Sequence, residues 1–199
     1  MKRRSILIGV AALSLSGCHN KPMEKLDERT ERLLGSAKAQ GRKWVHYDSQ
    51  YSHIAYPMGD VPQDHGVCVD VIIRAYRALG IDLQKLVHDD MVAHFDLYPK
   101  LWGLKAPDAN IDHRRVPNLE VFFSRFAKIL PISTKASDFR PGDIVTTKPL
   151  GVRPHISFVS NDRSFWANRP MVIQNMGRSV SLDDDLFNFP MTGHFRYSL

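Results

Sequence analysis

The sequence predicts an α+β fold, with N-terminal helices packed on a C-terminal antiparallel β-sheet. Two observations carry this expectation. Apolar residues recur at helical spacing through the first two thirds of the chain, and from Pro131 onward the period shifts toward two. Runs of strands that follow runs of helices, with no alternation between them, give α+β architecture rather than βαβ units. No internal repeat, low-complexity tract or second domain interrupts the 199 residues.

The chain opens on Lys2, Arg3 and Arg4, followed by an apolar run from Ile6 to Leu15. That run is too short to span a bilayer and has the order of a signal peptide. It ends in Leu15-Ser16-Gly17-Cys18, which resembles the bacterial lipobox. The expected organisation is a signal peptide over 1–17, a lipidated leader and N-terminal helix over 18–40, and a single domain over 41–199. Cys18 is the expected lipidation site. The resemblance implies a periplasm-facing lipoprotein attached to the membrane through its N-terminal lipid. His19 in place of an aspartate favours the outer membrane over the inner.

The formal charge of +6 falls to +3 once Lys2, Arg3 and Arg4 leave with the signal. Without a compact basic run or interleaved aromatics, the sequence gives no reason to expect nucleic acid as a partner. Cysteine usage is more telling. With Cys18 lipidated, Cys68 is the one remaining thiol, so no intramolecular disulfide is available.

The elements follow in order. Met23 to Gln40 carries Leu26, Leu33, Leu34 and Ala37 on one helical face, and Gly41 stops it. Trp44 to Tyr51 reads as a short strand or ordered loop. Tyr56 to Val67 is a loop rich in Gly, Pro and Asp. It leads into a helix marked by Val71, Ile72, Ala75, Tyr76 and Leu79, which Gly80 ends. Asp82 caps the next helix, which continues to Phe95. The segment 102–118 is polar and aperiodic, a length of loop that is usually functional or tied down by side chains. Leu119 to Leu130 reads as a helix with Phe122, Phe123 and Phe126 on one face. Strands are expected over Ile144–Thr147, His155–Ser160, Met171–Asn175 and Thr192–Tyr197.

Cys68 stands where the central loop becomes a helix. Free N–H groups and the helix dipole favour negative charge there, so a cysteine at such a junction tends toward a lowered pKa and nucleophilic character. Nucleophilic thiol chemistry also needs a base and a polar group to orient it. His155 opens one expected strand, and Gln174 or Asn175 lies on the next.

This arrangement resembles the NlpC-type cell-wall peptidases, a papain-like cysteine superfamily, over roughly Tyr56 to Asn175. Tyr56 precedes the cysteine at about the place where the family has an oxyanion-site tyrosine. Arg140-Pro141-Gly142-Asp143-Ile144-Val145 resembles the turn and strand before the catalytic histidine. His155-Ile156-Ser157-Phe158-Val159 resembles the histidine strand, and Val172-Ile173-Gln174 resembles the strand whose third residue orients the imidazole. The chain departs from the family at Val67-Cys68-Val69-Asp70, where Asp-Cys-Ser-Gly is usual, at Ser157 in place of glycine, and at Gln174 in place of histidine. The stretches YPMGDVPQDHGVCVDVIIRAYR, NIDHRRVPNLEVFF, RPGDIV, PHISFVS and TGHFRY resemble more closely an uncharacterised family of exported bacterial proteins within that superfamily.

The resemblance implies a papain-like fold and a cysteine hydrolase acting on amide bonds of peptidoglycan peptides, with no cofactor. Cys68, His155, Gln174 or Asn175, and Tyr56 are the expected catalytic set. Asp70, His113, Arg114 and Arg115 are expected substrate-binding residues, since guanidinium groups recognise carboxylates bidentately. No histidine spacing resembles a metal-ligand pair on one element, so no metal is expected. Two other classes fit the same residues. One is acyl transfer, transpeptidation or lipid-ester hydrolysis on the same fold. The other is a non-catalytic lipoprotein that binds cell wall.

The lipobox order predicts that Cys18→Ser leaves the precursor unprocessed or releases the protein from membranes. Detergent partitioning and intact mass check this, and unchanged membrane extraction and mass in the variant would contradict it.

Overall fold

The computed structural model describes residues 25–197. The expected signal peptide, Cys18 and the first residues of the leader lie outside them. Helix α1 spans Glu28–Ala39 and is capped by the Asp27 carboxylate, which accepts from the Thr30 N–H. Its Leu33, Leu34 and Ala37 are buried, as the spacing implies. The strands β1 (His46–Tyr47) and β2 (His65–Gly66) form a two-residue parallel ladder, His46 against His65 and Tyr47 against Gly66. Helices α2 (Cys68–Arg77) and α3 (Leu83–Ala93) follow. Asp82 caps α3 by accepting from the Gln84 N–H.

Helix α4 spans Val116–Phe126, three residues ahead of its expected start. Pro117 sits in the first turn, where its fixed φ suits the helix and its missing N–H costs nothing. The end of the apolar run leaves the helix to form β3 (Lys128–Ile129). The remaining strands are β4 (Ile144–Thr147), β5 (His155–Arg163), β6 (Pro170–Asn175), β7 (Val180–Asp183) and β8 (Met191–Arg196). Together β3 to β8 make an antiparallel sheet in the order β3-β8-β4-β5-β6-β7. The α+β class with helices ahead of an antiparallel sheet is therefore correct. Neither β3 nor β7 was expected. β3 hides at the end of a helical pattern, and β7 lies in a Ser- and Asp-rich run.

Strand alternation sorts the sheet's residues onto two faces. Ile144, Ile156, Phe158, Ile173 and Phe195 join α1, α2, α3 and α4 in the main core. Val145, Val159 and Val172 face the other way, against Phe139 and Leu186. The register puts His155 opposite Thr147, on this second face. The ladder between β5 and β6 begins only at Phe158 and Ile173, so the two strands part near His155 and Asn175.

The RPGD and GHFR stretches meet around one buried carboxylate. Asp143 is 1% exposed, accepts from His194 Nε2 at 2.9 Å, and pairs with Arg196 through Nε at 2.6 Å and Nη2 at 2.8 Å. Burial raises the Asp143 pKa, but the hydrogen bonds from His194 and Arg196 outweigh it and hold the carboxyl below its ordinary value. A depressed folded-state pKa gives stability that is present above the unfolded value and lost as pH falls through the folded one.

Breaking a buried pair from one side costs about 3–5 kcal/mol. Asp143→Asn is therefore expected to lose about that much in urea unfolding at pH 7, with the gap to wild type narrowing below about pH 4. A small loss, or one independent of pH, would contradict this account.

Candidate functional site

The site is built where the start of α2 meets the start of β5. Val67 is the N-cap of α2, with extended backbone angles. Its N–H donates to Asp70 Oδ2 at 2.7 Å, and the Asp70 N–H donates back to the Val67 carbonyl at 3.1 Å. This reciprocal clasp fixes the first turn. Asp70 is 3% exposed and also receives Arg114 Nε and Nη2, each at 2.9 Å. A Cβ at the preceding Gly66 would lie 3.2 Å from both the Asp70 Cβ and Oδ2, a tight approach to which the clasp would have to yield.

Cys68 is the first residue of α2 and is 4% exposed. The Ile156 N–H, next in sequence to His155, and the Val69 N–H of its own helix lie close enough to the thiol to favour its charged form. Backbone N–H groups lie in the plane of a sheet, so the sulfur meets β5 edge-on, where β5 and β6 have parted. The Tyr47 hydroxyl also lies near the sulfur, and the two groups shift each other's pKa. The β1–β2 ladder explains this contact, since Tyr47 pairs with Gly66, two residues before Cys68.

The His155 Nε2–H donates to Gln174 Oε1 at 2.9 Å, with both side chains buried. An amide oxygen only accepts, so the proton of the neutral ring sits on Nε2 and Nδ1 carries the free lone pair. The Gln174 amide nitrogen donates to Asp183 Oδ2 at 3.0 Å and to Asp185 Oδ2 at 2.9 Å. Ser181 Oγ donates to Asp183 at 2.6 Å.

Electrostatics favour the neutral forms of both Cys68 and His155. Burial pushes the Cys68 thiol up to about 11; the N–H donors from Ile156 and Val69 pull the other way, and Asp70 adds to the rise. The helix-start setting alone implied a lowered pKa, and desolvation reverses it. Burial also lowers His155 below its ordinary value, against the Gln174 hydrogen bond and the charges of Asp185 and Asp183. Tyr47 is pushed up to about 12, by burial first and then by Cys68.

The other expected residues fall elsewhere. The Tyr56 hydroxyl donates to Asp89 on α3 at 2.8 Å and its ring meets His88 edge-on, so Tyr47 and not Tyr56 is the tyrosine at the thiol. A fixed offset from the cysteine missed this, because the chain between Tyr56 and Cys68 is held to α3 and α2 through Asp60, Gly59 and Met58. Asn175 does not orient His155. Strand alternation turns it to the opposite face, where its Oδ1 accepts from the Gly177 N–H at 3.0 Å and its amide reaches the Gly66 carbonyl at 3.5 Å.

Among the expected substrate-binding residues, Asp70 is occupied by Arg114 and the helix start. His113 is 1% exposed and is held neutral, its pKa pushed down to about 3 by burial and then by Arg114 and Arg77. Arg115 stacks over Trp102 with its guanidinium carbon 3.8 Å from the ring centre. Arg114 is buried but borders a cavity of about 190 Å³ that it shares with Asp48, Gln50, Ser52 and His65. That cavity adjoins the Cys68 loop, since the Asp48 N–H donates to the Gly66 carbonyl at 3.3 Å. Among the described residues, no cluster of three metal-ligating side chains occurs.

The chain belongs to the family described as Domain of unknown function (DUF1287), whose profile matches residues 34–197. It is 50% identical over 165 residues to the "Uncharacterized protein YijF" of Escherichia coli (strain K12), covering 83% of this chain and 80% of the relative. No solved structure matches. The matched span contains α2 to β8, and with them Cys68, His155 and Gln174.

A neutral, buried thiol labels slowly. In the folded protein, iodoacetamide is expected to modify Cys68 at pH 7 more slowly than in urea, with the rate climbing through pH 9–10 as thiolate forms. Rapid labelling near pH 6 that is lost in His155→Ala would instead show a resting thiolate–imidazolium pair.

Proposed function

We propose that this protein is a cysteine hydrolase of papain-like, NlpC-type fold that cleaves amide bonds in peptidoglycan peptides. The observation that carries the reading is the His155–Gln174 hydrogen bond on β5 and β6, set beside a helix-start cysteine whose sulfur lies near the Ile156 N–H. Those are the three parts that thiol catalysis requires, in their expected order. The export signal and the resemblance to cell-wall peptidases support peptidoglycan as substrate. A lipid-anchored position facing the periplasm, at the outer membrane, is part of the same proposal. Among the described residues, no helix is long and apolar enough to cross a membrane.

The chemistry follows from the resting state. His155 Nδ1 takes the Cys68 proton as the sulfur attacks the amide carbonyl, so thiolate forms only when substrate is in place. The Cys68 N–H and the Tyr47 hydroxyl stabilise the oxyanion. The C–N bond then breaks, the imidazolium returns its proton to the leaving amine, and an acyl thioester remains on Cys68. Water, deprotonated by Nδ1, attacks the thioester. The new carboxyl product departs and the thiol regains its proton. Gln174 holds the ring in register throughout.

Digestion of purified peptidoglycan, with fragments identified by mass spectrometry, tests the proposal. Wild type is expected to release new amine and carboxyl ends. Cys68→Ala is expected to abolish release, and His155→Ala to slow it by about 10²–10⁴-fold. Gln174→Ala is expected to slow turnover far more than Asn175→Ala at matched folded fraction. Intact wall after prolonged digestion would overturn the reading, and products bearing an added amine would replace hydrolysis with transfer.

A further inference from the structure

Both N–H groups of the Gln174 amide end on carboxylates, Asp183 Oδ2 at 3.0 Å and Asp185 Oδ2 at 2.9 Å. This is an unusual use of two acids. A single acceptor would fix one N–H and leave the amide free to be satisfied in other ways. With two carboxylates in place, turning the amide over would press its carbonyl oxygen against both negative oxygens. The turned amide would also present an N–H to His155 Nε2, which would force the ring proton onto Nδ1. The free lone pair on Nδ1, the nitrogen proposed as the base, would then be lost.

Sequence position explains how the fold supplies this pair. Asp183 closes β7, which pairs with β6 in the register Gln174 to Ser181 and Val172 to Asp183. Asp183 and Ser181 are therefore on the same face as Gln174, and Ser181 Oγ donates at 2.6 Å to the same Asp183 Oδ2 that accepts from the amide. Asp185 comes from the segment that leaves β7 and crosses the second face of the sheet, where Leu186 is packed among Phe139, Val145, Val159 and Val172. Asn188 Nδ2 donates to Asp185 Oδ1 at 2.6 Å. Each carboxylate thus has its own support: Asp183 Oδ2 accepts from both Ser181 and the amide, while Asp185 takes Asn188 on Oδ1 and the amide on Oδ2. The third acid of the run, Asp184, pairs instead with Arg169.

We infer that Asp183 and Asp185 are positioning residues, which lock the Gln174 amide in one orientation and thereby hold His155 in the Nε2–H tautomer with Nδ1 free as the base. The inference rests on the cysteine-hydrolase reading for its catalytic consequence, while its structural core concerns His155 alone. Two negative charges behind the amide also favour the imidazolium that forms when Nδ1 takes a proton, so they act on the ring's basicity as well as on its orientation.

The test reads the two parts separately in the full chain. Histidine-selective nitrogen-15 NMR at neutral pH, without substrate, is expected to show a single Nε2–H tautomer for His155 in wild type. Asp183→Asn/Asp185→Asn should give a tautomer mixture and a lowered His155 pKa. The single variants Asp183→Asn and Asp185→Asn, each keeping one carboxylate, cover the case in which the double variant does not fold. They should show the same changes in smaller degree. In peptidoglycan digestion, kcat/KM is expected to fall about 10²-fold in the double variant, with the acid limb of the pH profile moving to lower pH. Variants that lower thermal stability but leave the His155 tautomer and pKa unchanged would overturn the inference. A tautomer shift in a protein that never cleaves wall would overturn the hydrolase reading and leave the positioning role standing.

Discussion

The buried carboxylate of Asp70 is the constraint on which the site depends. It binds the Val67 N–H ahead of Cys68 and the guanidinium of Arg114 from the segment before α4, so two distant stretches of chain are fixed to one helix turn. A buried ion pair carries a large desolvation cost and is a weak source of net stability. Its effect here is geometric. Losing either partner would free the turn that aims the thiol, which is why the dense NIDHRR stretch is tied inward rather than offered to solvent. The same contact leaves Arg114 with little capacity for a substrate carboxylate, although its edge still borders the cavity beside Asp48 and His65.

A second consequence concerns charge. The start of a helix favours a thiolate, yet burial of the sulfur dominates and the thiol rests protonated. His155 is likewise pushed toward its neutral form by burial. Two neutral partners avoid holding a separated ion pair in an apolar setting, and they leave the cysteine less open to oxidation than a thiolate would be. On the proposed cysteine-hydrolase reading, proton transfer must then accompany attack. The alignment of the His155 ring then matters more than it would for a preformed thiolate, and the Gln174 amide with its two carboxylates sets that alignment.

Much of this was legible in the sequence, and the misses have physical causes. Helices α1, α2 and α3 and strands β4, β5, β6 and β8 follow from apolar spacing and caps. Strand alternation is enough to separate Gln174 from Asn175, and the structure turns Gln174 to His155. What could not be read was pairing between distant segments. Tyr47 reaches Cys68 only because β1 lies parallel to β2, a two-residue ladder with no pattern of its own. Asp183 and Asp185 look like a solvated acidic run until β7 is seen beside β6. Arg115 invited a binding role because guanidinium groups recognise carboxylates bidentately, but its guanidinium is stacked on Trp102, and His113 beside it is buried.

The central claim is that Cys68 forms a covalent acyl intermediate. Acid quenching of the protein during turnover of soluble peptidoglycan fragments, followed by peptide mapping, measures it directly. The account predicts a hydroxylamine-sensitive acyl adduct on the Cys68 peptide that disappears as product accumulates. Product formation with Cys68 unmodified throughout, and undiminished in Cys68→Ser, would contradict it.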